Sequence, residues 1–157
     1  MTHPIKINTS GIETDINLET AQRAFYNISF RPEKRGQKMV DEYIEVMEDL
    51  AKIIEKEATG ERERAAAQDV FETLREQFKR KYTDWLHAKS RCISSMITGP
   101  ANFPVRRAEK ANNSEHNKMM DVIEFEKNMK KRVQKTFKRL YSAQEHQTDE
   151  IEKLKNR

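Results

Sequence analysis

Residues 61–97 read ERERAAAQDVFETLREQFKRKYTDWLHAKSRCISSMI, and the period of this stretch decides the fold class. Ala67, Phe71, Leu74, Phe78, Trp85, Cys92 and Met96 recur at steps of three, four and seven, which puts them on one side of an α-helix. No Gly or Pro interrupts the run, and Ala, Glu, Lys, Arg, Gln and Leu fill it, so one helix of more than thirty residues is expected. Its halves differ in charge: acid-rich before Glu76, basic from Lys79-Arg80-Lys81 onward.

Upstream, Met39, Tyr43, Val46, Leu50 and Ile53 form a second stripe, with acids on the opposite face, and predict an acidic helix over 32–59. Pro32 suits its first turn, and Gly60 is expected to stop it in the left-handed conformation. Before it, Asn17 is a candidate N-cap for a short helix over 17–30, with Leu18, Ala21, Phe25 and Ile28 at helical spacing. Phe25, Tyr26 and Phe30 make an aromatic cluster suited to anchoring this end in the core. Residues 1–16 show no helical period and are expected to form a flexible or extended arm carrying Ile5, Ile7 and Ile12.

Downstream, Gly99-Pro100 predicts a sharp turn over 98–104, and Pro104 suits the start of a further helix. Ile97, Phe103 and Val105 are candidates to plug the end of a bundle at this corner. Asn112-Asn113-Ser114, with Glu115 three residues after Asn112, resembles a capping box, so 104–157 is expected to be one basic helix or two with a break near 112–114. Met119, Val122, Met129, Val133, Phe137 and Leu140 form the third stripe. The seam turns polar at Gln144 and Gln147, so the last dozen residues should fray or pair with a partner. The class is therefore all-α: an elongated bundle of about three long amphipathic helices, a short N-terminal helix and an arm, in one domain.

Composition agrees. Hydrophobic and charged residues each make up 36% of the 157, which suits long amphipathic helices with narrow seams. The single cysteine, Cys92, leaves no partner for an intramolecular disulfide and fits a reducing compartment. No apolar run approaches a membrane span, and the N-terminus lacks the plan of a signal peptide, so a cytoplasmic location without membrane association is expected. The net charge of +4 conceals a division. Residues 41–76 carry twelve acids and five bases, residues 77–118 carry nine bases and three acids, and Lys127 to Arg139 holds seven bases and no acid. Kept apart in the fold, these blocks would make a bipolar molecule with one face suited to polyanions; laid against each other, they would neutralise.

Catalytic patterns are absent from the sequence. His3, His87, His116 and His146 lie in separate segments and form no spaced ligand pair, and neither a phosphate loop nor a dinucleotide fingerprint occurs. A nucleophile at Cys92 would need a histidine brought from another helix. No metal or cofactor is expected. The polar residues around the Gly-Pro turn are more informative. Lys89 and Arg91 precede it, Ser95 and Thr98 supply hydroxyls, and Arg106, Arg107 and Lys110 follow it. Hydroxyls and arginine forks can hold a phosphate. With Lys131, Lys135 and Lys138 from the basic run, they form the candidate site for nucleic acid or another partner, suited to backbone contact and not to reading bases.

The segment AKSRCISSMITGPANFPVRRAEKANNSEH (88–116), with SFRPEKRG upstream, resembles uncharacterised small proteins of bacteriophages and conjugative elements, in which a Trp-containing helix leads into a similar Ser-Thr-Gly-Pro, Phe-Pro and arginine–lysine stretch. The resemblance implies a mobile genetic element acting in a bacterial host. It carries no activity with it. Such elements encode small non-enzymatic proteins that manage their own DNA or block host nucleases, and anti-CRISPR proteins share the size and charge segregation. The leading expectation is a non-enzymatic protein that engages nucleic acid or a nucleoprotein through its basic turn and helix faces. The alternatives are an inhibitor of a host defence nuclease of the Cas type that mimics nucleic acid with its acidic helix, and a structural coiled-coil or virion component, self-associating through the helical seams.

Overall fold

A computed structural model describes residues 4–93 and 103–156, the side chains of 141–146 aside. The elements are a 3₁₀ turn Ile12–Thr14, then α1 (Leu18–Arg23), α2 (Pro32–Glu57), α3 (Glu61–Ser90), α4 (Val105–Lys127) and α5 (Met129–Lys155). The described residues contain no strand. The chain exposes 10905 Å², about a third more than the roughly 8200 Å² expected of a compact protein of this mass, as befits an elongated bundle.

Each long helix buries one stripe. On α2 the buried positions are Gly36, Val40, Tyr43, Met47, Leu50, Ala51 and Ile54, one step round from the expected stripe, with Met39, Val46 and Ile53 at its rim. On α3, Ala66, Ala67, Val70, Phe71, Leu74, Phe78, Tyr82 and Leu86 face inward. The rings of Tyr43, Phe78, Tyr82 and Phe125 meet at the centre. Phe78 stacks on Tyr43 at 5.6 Å and tilts against Phe125 at 4.8 Å. Tyr82 lies 5.5 Å from Tyr43 and donates its hydroxyl proton to the Met39 carbonyl at 2.7 Å, so its polar end is satisfied inside the core.

Asn17 caps α1 as expected, accepting from the Thr20 N–H. Pro32 opens α2. The expected N-terminal arm is present, and other expectations are corrected. The arm is docked: Ile7, Ile12 and Ile16 are buried, the Ile7 N–H donates to Glu55, and Asn8 exchanges two hydrogen bonds with Gln68. The short helix closes at Arg23 and continues as tight turns to Ser29. Of its aromatic trio Phe25 alone is buried, while Tyr26 and Phe30 are exposed. Gly60 is not left-handed: at φ −90° it is the extended N-cap of α3, and α2 ends two residues earlier than expected. Helix α3 does not reach residue 97. It tightens at Arg91 and Cys92, whose N–H groups donate to the Ala88 and Lys89 carbonyls. The corner residues 94–102, including Ile97 and the Gly-Pro pair, lie outside the described residues; Val105 is exposed and plugs nothing.

The break falls at Asn128, not near 112–114. Glu115 does not cap a helix; its carboxylate accepts from Trp85 Nε1 at 2.8 Å and pairs with Lys89 at 3.6 Å. These contacts hold α4 against α3 through a stretch whose local signals favour interruption. At Asn128 the side-chain amide instead donates to the Glu124 carbonyl, competing with the helical ladder. The last residues are helical to Lys155, although 147–156 are exposed throughout.

The close approach of α1 to α2 depends on Gly36. A Cβ there would lie 2.7 Å from the Gln22 backbone. An alanine inside a helix normally stabilises by up to about 1 kcal/mol over glycine. Here the sign reverses: Gly36→Ala should destabilise by about 1–3 kcal/mol, seen as a lower Tm, and a raised Tm would show that the helices have room to part.

A second lock joins arm and bundle. Arg75 grips both oxygens of Asp15 at 2.7 Å, and Tyr43 donates to the same carboxylate at 2.6 Å. The Asp15 side chain is only 8% exposed. Burial alone would raise its pKa, but the hydrogen bonds from Arg75 and Tyr43 outweigh it and hold the carboxyl below its ordinary value of 3.8. The folded value lies below the unfolded one, so the stabilisation is complete above about pH 4 and disappears as pH falls through the folded value. Asp15→Asn should cost about 2–3 kcal/mol at pH 7. The gap between variant and wild type in urea unfolding should narrow as pH falls below about 4 and close as it passes through the lowered folded value; a constant gap would contradict a charged lock.

Candidate polyanion interface

Two spacing patterns build a basic furrow. Gln77, Arg80, Lys81 and Asp84 follow the i, i+3, i+4, i+7 rule on α3, and Arg132, Lys135, Thr136 and Arg139 repeat it on α5. Because Val133 and Phe137 are buried, α5 lies against α3 with this strip at the rim. One cleft of about 370 Å³ is lined by Leu74, Gln77, Arg132, Lys135, Thr136 and Arg139. A neighbouring one of about 390 Å³ adds Arg80, Lys81, Asp84, Lys118 and Asp121. Gln77 and Arg132 line both, so the two clefts adjoin and together form one basic furrow along the rim. Six bases face two acids along it.

Arg132 organises the junction. Its guanidinium lies 4.8 Å over the Phe125 ring and pairs with Glu124, while its Nε is buried without a protein partner among the described residues. The Arg132 hydrogen bond draws the Glu124 carboxyl below its usual range. Arg80, Lys118, Lys135 and Arg139 are exposed around it.

The ten expected site residues divide. Lys135 lines the furrow. Lys131 is exposed on the same helix but lines neither cleft of the furrow, and Lys138 borders a different hollow, beside Glu57 and Glu63. Arg91, Arg107 and Lys110 come together in a separate cleft at the end of the bundle, while exposed Arg106 does not line it. Ser95 and Thr98 lie outside the described residues. Lys89 pairs with Glu115 and sits 5.2 Å over Phe25 and 5.7 Å over half-buried Trp85. These contacts tie α3 to α4 and to the turns that follow α1. Arg80, Lys81, Lys118, Arg132 and Arg139 are not among the expected site residues. The repeated four-residue spacing on two helices is the signal that marks four of these five.

The charge blocks remain apart on the outer faces. Asp41, Glu42, Glu45, Glu48 and Asp49 are exposed along α2, and desolvation together with nearby Glu42 pushes the Glu126 carboxyl above its usual range. The blocks neutralise each other where Lys130 reaches Glu57 at 3.7 Å. Cys92 is buried, its thiol directed to the Ala88 and Ala111 carbonyls, and burial and Glu115 push its pKa up; this environment disfavours the thiolate. Among the described residues no group of three or more His, Cys, Asp or Glu is placed to hold a metal ion, and no helix is long and apolar enough to cross a membrane. No family model, no curated protein and no solved structure matches the chain.

The packing of Lys89 has a testable consequence. Lys89→Ala removes an ion pair and two cation–π contacts, and should lower stability by about 1–2 kcal/mol while leaving affinity for a polyanion within about twofold. A loss of affinity at unchanged Tm would return Lys89 to the binding surface.

Proposed function

We propose that this chain is a non-enzymatic nucleic-acid-binding protein that grips the phosphate backbone in the furrow between α3, α4 and α5. The observation that carries the reading is that the two clefts adjoin at Gln77 and Arg132, which sets six bases along one strip of the surface. From Leu74 to Asp84 the strip follows ten residues of helix, about 15 Å at ~1.5 Å per residue. That accommodates about four nucleotides at ~3.4 Å each. No aromatic ring is among the described lining residues, and Phe125 is buried beneath Arg132, so the furrow offers charge and hydrogen bonds without a stacking platform. Such a surface holds a strand in place and does not read its sequence. In a mobile element it would serve the handling of the element's own nucleic acid.

The exposed carboxylates of α2 favour a second reading, an inhibitor that presents Asp41, Glu42, Glu45, Glu48 and Asp49 to a basic nuclease as a counterfeit backbone. The two readings separate in one titration. With the furrow as the site, fluorescence anisotropy of a labelled oligonucleotide reports binding that weakens steeply with salt. Replacing Arg80, Lys81 and Lys135 together by Ala should lower the log–log salt slope by about 0.7–0.9 for each lost phosphate contact, with helicity unchanged. Replacing Lys52 and Lys56 on α2 should change nothing. No binding of wild type at low salt would overturn the furrow reading and favour the acidic face.

A further inference from the structure

The end of the bundle, where α3 finishes and α4 begins, holds a cleft of about 430 Å³ that the furrow reading does not use. Arg91 leaves the last turn of α3, and Arg107 and Lys110 project from the first turns of α4. All three line the cleft and are exposed, and none makes an ion pair among the described residues. No carboxylate is among the described residues lining this cleft, whereas Asp84 and Asp121 line the furrow. Ser114 and Asn27 add a hydroxyl and a carboxamide as neutral donors. The Ser90 hydroxyl is committed to the His87 carbonyl at 2.6 Å, so it can only accept. Ile93 and Ala111 give the cleft an apolar wall.

Three cations and two neutral donors exceed what a single phosphodiester charge requires. A phosphomonoester, carrying about −1.5 to −2 at neutral pH with three strong acceptor oxygens, matches them. The apolar wall and the guanidinium planes suit a flat ring attached to that phosphate. The volume lies within the roughly 300–1,000 Å³ of small-ligand sites. We propose that this cleft is a phosphomonoester site for a mononucleotide-sized ligand, either a free nucleoside monophosphate or the 5′-phosphorylated end of a strand. It stands independently of the furrow.

Calorimetric titration of the full chain tests it with adenosine 5′-monophosphate, adenosine and inorganic phosphate as probes. The monophosphate should bind at least about tenfold more tightly than either of the others. Arg107→Ala and Lys110→Ala should each weaken it about tenfold or more, as expected for a lost charge-assisted hydrogen bond. Ser114→Ala should weaken it less, with Tm unchanged in all three, and Lys135→Ala in the furrow should have no effect. A 5′-phosphorylated tetranucleotide that binds more tightly than the monophosphate, and only with its terminal phosphate, assigns the site to strand ends; the reverse order assigns it to free nucleotides. The proposal is overturned if inorganic phosphate or adenosine binds as well as the monophosphate. It is equally overturned if Arg107→Ala/Lys110→Ala binds like wild type, or if Lys135→Ala removes binding as fully as the cleft variants do.

Discussion

Phe78 is the ring on which three helices meet. It stacks on Tyr43 of α2, tilts against Phe125 of α4, and lies 5.6 Å from Tyr82 on its own helix. A chain that is 36% hydrophobic cannot close a broad core; it concentrates large rings at one crossing instead. Aromatic pairs contribute about 0.5–1.5 kcal/mol beyond the area they bury, and their geometry fixes how each helix is rotated about its axis. Replacing this ring by a smaller side chain would leave a cavity touching every long helix described up to Asn128.

Rotation, once fixed, decides where the charges go. With Tyr43 turned toward Phe78, the acids of α2 from Asp41 to Asp49 are turned outward and stay exposed. With Phe78 and Leu74 inward, Gln77, Arg80 and Lys81 fall on the rim beside α5. Arg132 then links the core to the rim: its guanidinium covers Phe125, the far side of the same aromatic junction, while the bases on either side stay exposed. The bipolar surface is thus a consequence of the packing and not a separate feature laid over it. Arg75 contributes similarly at the arm, where one buried pair with Asp15 ties residues sixty positions apart.

The helices and their inward stripes are legible in the sequence because helical period is local information. Val133 and Phe137 face the core as their spacing implies. What is not legible depends on neighbours distant in the chain. Asn112-Asn113-Ser114 carries every local sign of an interruption, yet Glu115 is held by Trp85 and Lys89 thirty and twenty-six residues earlier. Asn128, which carries one such sign, is where the ladder gives way. Leu18, expected inward, is exposed, because α1 is too short to bury a full stripe. The site divides in the same manner. Arg91, Arg107 and Lys110 are identifiable around the turn, and the fold assembles them into one cleft. The furrow needs two strips from helices about fifty residues apart, and nothing local in either strip announces the other.

On the proposed reading, packing leaves one basic face open to a phosphate backbone while the acidic face of α2 stays clear of it. Lysine-reactivity footprinting with a short single-stranded oligonucleotide reads both faces in one sample. Lys81, Lys118 and Lys135 should become protected from amine modification at low salt and recover at high salt, while Lys52 and Lys56 react equally throughout. Protection spread evenly over all five lysines, or confined to Lys52 and Lys56, would contradict that reading.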